Sequence, residues 1–303
     1  MWKKHRAKHA VKVHASSRSQ LGNDMKTFES TLTSDDGIHF FVRGWEPDAK
    51  PKAVIALIHG LGEHTGRYEH VAKAMTNAGY AMVGFDLRGH GKSGGTRGHF
   101  PSFDAVMQDI QKFFVFITEH YPDIPHFLYG HSLGGLLVLT YALKNKAGLK
   151  GVIATSSGLR SQVHEQKLKI IMAKLLGSLA PTAQIANGLD LVVLSHDQKV
   201  IDAYKNDPLN HDRISLGFGK AGLEATDYAW SHAEQFSAPL LIMHGTADKN
   251  TYASGSEDFS KLAAKNNKDV TLKLWDGLYH ETHNEPEQQE VFKFIIEWLN
   301  RHM

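Results

Sequence analysis

Two pentapeptides in the chain have the spacing G-x-S-x-G: Gly91-Lys92-Ser93-Gly94-Gly95 and Gly130-His131-Ser132-Leu133-Gly134. A serine so flanked can serve as a nucleophile if a sharp strand-to-helix turn exposes its hydroxyl. Only small neighbours fit that turn, and the helix N-terminus favours developing negative charge. Ser132 has those surroundings, with the apolar run HFLY before it and GGLLVLTYALKN after it. Ser93 runs into GTRGHFP, which cannot start a helix at once, and reads as a loop residue. The plainer alternative for Ser132 is a helix-capping serine.

A serine hydroxyl needs a base to take its proton, and the base needs an acid to orient it. With 20 histidines in the chain, placement must decide. Asp248 closes PLLIMHGTAD and His280 follows VTLKLWDGLY. Acid and base then arrive in the order Ser, acid, His, from loops after two late strands. Asp276, before Gly277, reads as a turn residue, and His244, within a strand end, as a packed imidazole. The run HETH (280–283) is one residue short of H-E-x-x-H, so no metal site is expected. A tetrahedral oxyanion needs two N–H donors, for which Leu133 and Leu61, in His59-Gly60-Leu61-Gly62, are the candidates. The glycines of GLGEHTG do not follow G-x-G-x-x-G, which argues against a nucleotide phosphate, and no cofactor is expected.

Such residues must be held by regular elements. Short apolar runs at 39–45, 54–60, 81–87, 126–130, 151–157, 239–245 and 270–276 read as strands, most of them covered on both faces. Helical patterns lie at 67–78, 102–120, 133–146, 255–266 and 286–302. In the second, Phe103, Val106, Ile110, Phe113, Phe114 and Ile117 form a stripe, with Ser102 suited to its start. The alternation predicts an α/β fold with a doubly wound, mostly parallel sheet. The core is expected over 25–157 and 231–303, with a mainly helical cap over 158–230, inserted after a central strand above the sheet's C-terminal edge, where open α/β folds bind ligands. Within the cap, Leu168, Ile171, Leu175 and Leu179 recur at helical spacing beside Lys167, Lys169 and Lys174. That pattern suits a transient contact with a membrane surface and equally a packed cap helix.

The 303 residues carry a formal net charge of +2, which argues for no nucleic-acid partner. The absence of Cys excludes disulfides, Cys-ligated zinc and a thiol nucleophile, and fits a cytoplasmic setting. Residues 1–24 stand apart, with six Lys and Arg against Asp24, and lack the apolar stretch of a secretory signal. They read as a disordered basic leader with Met25 as a natural start, the alternatives being an organelle transit peptide or a polyanion-binding arm.

From about Gly37 to Trp298 the chain resembles the monoacylglycerol lipase and lysophospholipase family of α/β hydrolases. The likeness rests on HGLGEHTGRYEHVA, FDLRGHGKSGGTRG, YPDIPHFLYGHSLGG, VVLSHD, YKNDPL, HGTAD and TLKLWDGLYHETHNEP. It implies an α/β-hydrolase fold and a cofactor-free enzyme, cytosolic or peripherally membrane-bound, that cleaves an acyl ester from glycerol. It also implies that Glu63, Arg67 and His283 hold the glycerol head. The alternative is that Glu63 and Arg67, four apart, merely pair with each other. Asn250 departs from the family, which usually has an apolar residue two past the acid. A lysophospholipase or general carboxylesterase is the alternative activity, and a catalytically inactive binding protein is the alternative from another class.

Overall fold

The computed structural model describes residues 20–21, 25–145, 148–162 and 167–303. In chain order the first strands are β1 (Gln20–Leu21), β2 (Met25–Thr33), β3 (His39–Pro47), β4 (Val54–Ile58), β5 (Ala81–Phe85), β6 (His126–His131) and β7 (Leu149–Thr155). A separate ladder of β8 (Gln184–Ala186) and β9 (Arg213–Ser215) follows, and then β10 (Leu240–Gly245) and β11 (Val270–Trp275). All but β8 and β9 join one nine-stranded sheet in the order β1-β2-β3-β5-β4-β6-β7-β10-β11. From β5 to β11 neighbours run parallel, whereas β1, β2 and β3 form an antiparallel edge.

The central strands are apolar throughout because both of their faces are covered, and their alternate residues feed two cores. Val54, Ala56 and Ile58 of β4 pack into one core with Ile110 and Phe113, and Ile55 and Leu57 into the other with Tyr68 and Trp298. On one face lie α1 (Glu69–Asn77) and, at the far end of the chain, a helix over 288–301. On the other lie α2 (Phe103–His120), capped by Ser102 Oγ accepting from the Ala105 N–H, and α3 (Leu133–Lys144). α4 (Lys167–Leu179), α5 (Gln198–Asn206) and α6 (Leu216–His232) follow β7, and α7 (Ala253–Ala263) and α8 (Gln288–Arg301) complete the chain.

Three features differ from the sequence reading. The edge strand β2 does not read as a strand because its residues are mostly half-buried and polar positions interrupt it. The interval 158–230, expected to be mainly helical, also carries β8 and β9, each three residues long and too short to show a period of two. Of the expected leader, Gln20 and Leu21 pair antiparallel with Lys26 and Met25, so the sheet edge reaches across the boundary at residue 24; the rest lies outside the described residues.

Candidate active site

Strand β6 ends at His131 and α3 begins at Leu133, leaving Ser132 alone to make the turn. Its backbone sits at φ 54°, ψ −116°, a conformation that costs a non-glycine residue energy and persists only where the surroundings over-determine it. They do so here. The Ser132 N–H donates to the Thr155 carbonyl at the end of β7 (2.9 Å), and its carbonyl accepts from the Gly158 N–H (3.0 Å). The flanking glycines are demanded by close approach: a Cβ on Gly134 would lie 2.0 Å from the Ile58 carbonyl oxygen, and one on Gly130 2.2 Å from that of Gly134.

Two loops after β10 and β11 bring Asp248 and His280 to this serine. Ser132 Oγ lies 3.0 Å from His280 Nε2, and His280 Nδ1 lies 2.7 Å from Asp248 Oδ2. Because a carboxylate only accepts, Nδ1 carries the proton and Nε2 is left to accept from the serine. Asp248 is itself held firmly. Its Oδ1 accepts from the N–H groups of Asn250 (2.8 Å) and Thr251 (3.0 Å), and its Oδ2 also accepts from the Thr251 hydroxyl (2.9 Å) and His244 Nε2 (3.0 Å). Burial alone would raise the Asp248 carboxyl, but His280 and His244 beside it hold it well below the usual carboxylate range. Burial likewise opposes charge on His280, yet Asp248, with help from Glu281 and Glu63, raises it above an ordinary imidazole. Asp276 is exposed and accepts from the Thr246 hydroxyl at the turn after β11. Ser93, in its loop, donates to the Asp86 carbonyl and accepts from the Phe41 N–H.

A narrow cleft opens beside Ser132, lined by Gly60, Leu61, Glu63, His131, His280 and Glu281 of the core and by Leu189, Leu194 and Tyr204 from between β7 and β10. The N–H groups of Leu61 and Leu133 meet no acceptor among the described residues, although both flank the serine. Glu63 reaches back under this loop. Its Oε1 accepts from the Gly60 N–H (2.6 Å) and the Tyr68 hydroxyl (2.7 Å), and its Oε2 from Arg67. Arg67 also makes a two-point pair with Glu281, Nη1 to Oε1 at 2.7 Å and Nη2 to Oε2 at 2.8 Å, while the Tyr204 ring covers its face at 4.7 Å. Burial opposes ionisation of Glu281, but the guanidinium outweighs it and holds the carboxyl down to about 2.

The three residues expected at a glycerol head are therefore placed unequally. Glu63 lines the cleft, but Arg67 spends its donors on two carboxylates and is not among the lining residues. His283 lies behind them, fully buried, stacked on Tyr68 at 5.1 Å and edge-on to His131 at 4.7 Å. Burial pushes its imidazole down to about 3, so it is neutral. Sequence reasoning missed Glu281, whose signal lay in the HETH run read only for metal; among the described residues no cluster of three or more candidate ligands could hold a metal ion. It also missed that His244 bonds the acid, although a spacing of four residues joins the two.

The segment between β7 and β10 is tied to the same loops. The N–H groups of His280 and Glu281 donate to the carbonyls of Val193 (3.2 Å) and Leu194 (2.8 Å). Asn250 makes two bonds with the backbone of Asp190, Nδ2 to its carbonyl and Oδ1 from its N–H. His64 Nε2 meets Asp207 at 2.8 Å, and both the Tyr204 hydroxyl and the His211 N–H donate to the Gly62 carbonyl.

Residues 49–287 match the family model Hydrolase_4, described as serine aminopeptidase, S33. A monoacylglycerol lipase of Mycolicibacterium smegmatis is 32% identical over 91% of this chain and 98% of its own length. An uncharacterized abhydrolase domain-containing protein of Dictyostelium discoideum is 41% identical over 91% of this chain, which spans only 29% of that longer protein. Among solved structures, a monoacylglycerol lipase of Paleococcus ferrophilus superposes with a TM-score of 0.79 at 35% identity, covering 87% of this chain and 99% of its own.

Proposed function

Because this chain belongs to the Hydrolase_4 family of α/β hydrolases, we propose that it is a serine ester hydrolase that cleaves monoacylglycerols to a fatty acid and glycerol. The observation that carries the reading is the unbroken hydrogen-bond chain Asp248–His280–Ser132 at the floor of a cleft, beside two N–H groups that meet no acceptor among the described residues. His280 Nε2 takes the proton of Ser132 as its Oγ bonds to the ester carbonyl carbon. The N–H groups of Leu61 and Leu133 receive the negative charge that develops on the carbonyl oxygen. Collapse of the tetrahedral adduct breaks the bond to the glycerol oxygen, which leaves with the proton from His280. Water repeats the sequence on the acyl-serine and releases the fatty acid. Asp248 keeps Nδ1 protonated and offsets the positive charge that His280 acquires.

The glycerol half of the substrate meets Glu63 directly, with Arg67 and His283 supporting that wall from behind. The acyl half lies along Leu61, Leu189 and Leu194. A lipid surface is the natural source of such an ester, and Ile171, Leu175 and Leu179 stand 63%, 58% and 73% exposed on one side of α4, as a peripheral contact requires. The side chain of Leu168 lies outside the described set. No helix among the described residues is long and apolar enough to cross a membrane, and the exposed face of α4 is read as a peripheral attachment. The test is a comparison of kcat/KM across a monoacylglycerol, a diacylglycerol, a triacylglycerol, a lysophospholipid and a p-nitrophenyl ester of one acyl chain. A monoacylglycerol turned over no faster than the other natural lipids would overturn the substrate assignment in favour of a lysophospholipase or general esterase.

A further inference from the structure

The polar wall of the cleft has an unbalanced charge. Glu63 and Glu281 both line it, and no Lys or Arg does so among the described residues. Their shared counter-ion, Arg67, stands behind them with Nη1 divided between the two carboxylates, Nη2 given to Glu281 and one face closed by Tyr204. One cation thus serves two anions, and its donors do not reach the substrate space. The other groups nearby do not restore the balance. His131 is pushed well below an ordinary imidazole by burial and by the neighbouring His283 and His280, and is neutral. Asp248 adds a third carboxylate beyond His280.

Arg67 bonds to both carboxylates, so two negative charges share one local cation. Glu63 accepts three bonds, from an N–H, a hydroxyl and the guanidinium, and Glu281 also three, two from the guanidinium and one from the Asn284 amide, so each keeps one of about four lone-pair sites. A substrate hydroxyl can still donate to the remaining lone pairs on these oxygens. A phosphate or carboxylate brought to the same place would face like charge from two carboxylates that are themselves buried.

We propose that Glu281, together with Glu63, selects the leaving alcohol by its charge: esters of neutral or cationic alcohols are accepted and esters of anionic alcohols are rejected. The proposal deepens the reading of the cleft as the site of ester hydrolysis. It assigns to Glu281 a role in specificity in addition to its pairing with Arg67.

The experiment uses soluble octanoyl esters of glycerol, of glycerol 3-phosphate and of choline, with p-nitrophenyl octanoate as the common reference, on the wild-type chain and on Glu281→Gln. Dividing each kcat/KM by that for the reference removes any general damage to the triad. The wild type is expected to prefer the glycerol and choline esters over the phosphate ester by on the order of tenfold to a hundredfold. Glu281→Gln leaves Arg67 with a single carboxylate, and should shrink that preference at least about fivefold, chiefly through the KM of the phosphate ester. A wild-type preference near unity, or one that Glu281→Gln does not change, overturns the proposal. Should the variant fail to fold, salt decides on the wild type: the preference must fall between about 20 mM and about 0.5 M salt, and one indifferent to salt overturns the proposal. A glycerol ester cleaved no better than the choline ester sinks the assignment of monoacylglycerol as substrate, but leaves the comparison of choline with phosphate as a test of charge selection.

Discussion

Ser132 offers its hydroxyl to His280 from a strained turn whose backbone is pinned on both sides. Replacing it with alanine removes only one oxygen, so Ser132→Ala should fold normally while ester turnover falls by several powers of ten. Ser93→Ala should keep its turnover, and a reversal of these two outcomes in a simple chromogenic assay would put the nucleophile in the other pentapeptide. In the proposed mechanism the base sets the pH dependence. His280 must be neutral to take a proton, and the Asp248 carboxylate raises it above the ordinary imidazole value of about 6.5. Activity is therefore lost as pH falls, and the acid limb of kcat/KM should have an apparent pKa above about 6.5, a property of the coupled pair rather than of either residue. A limb at or below that value, measured with a substrate that does not titrate, contradicts the assignment. His283 touches Tyr68 and His131 but is not in the cleft lining. His283→Ala should accordingly slow a monoacylglycerol and the matching p-nitrophenyl ester by the same factor. A loss confined to the monoacylglycerol would show that His283 reaches the glycerol after all.

At the scale of elements, the turn between β6 and α3 is a contact between backbones. A Cβ at residue 134 would collide with the Ile58 carbonyl, which no side-chain movement can relieve. Gly134→Ala should thus cost about 1–3 kcal/mol or more in denaturant unfolding, with activity lost even where folding survives. Stability within a few tenths of a kcal/mol of the wild type would mean that β4 and α3 are less tightly apposed. Two of the strands that deliver the triad, β6 and β10, were legible in sequence because they are buried on both faces and mostly apolar, as are β4 and β5; β11, which delivers His280, is only half-buried but shows itself by alternating Val270, Leu272 and Leu274 with Thr271 and Lys273. β2 was not, since an edge strand with one half-open face carries Lys26, Glu29 and Ser30 among its apolar residues. Ser132, Asp248 and His280 could be read from local context, each lying next to a recognisable strand. Glu281 could not, because what it does depends on Arg67, 214 residues away in the chain, and such a partnership leaves no periodic trace. Asn250, a departure from the family pattern, finds its explanation only in the backbone of Asp190 on a distant segment.

At the scale of the whole molecule, most of the exposed large apolar side chains among the described residues lie between β7 and β10, with Val115, Leu272 and Met303 elsewhere. Ile171, Leu175 and Leu179 are joined by Leu176, Ile185 and Val192 as exposed apolar side chains between β7 and β10. If this side meets lipid, Leu175→Asp should reduce co-flotation with neutral lipid vesicles while leaving hydrolysis of a soluble short-chain ester intact. Equal flotation of wild type and variant, or none for either, leaves α4 as an ordinary packed helix. The same region also holds the peptide groups of His280 and Glu281 through the carbonyls of Val193 and Leu194. It follows that the region is no detachable accessory. A shortened enzyme trimmed back to the sheet and its flanking helices would strand two amide protons in the loop that carries the base. Exchange of this segment between relatives must keep the two carbonyls at 193 and 194, along with the bonds of Asp190 to Asn250 and of Asp207 to His64, while the exposed face of α4, which takes no part in them, is free to diverge.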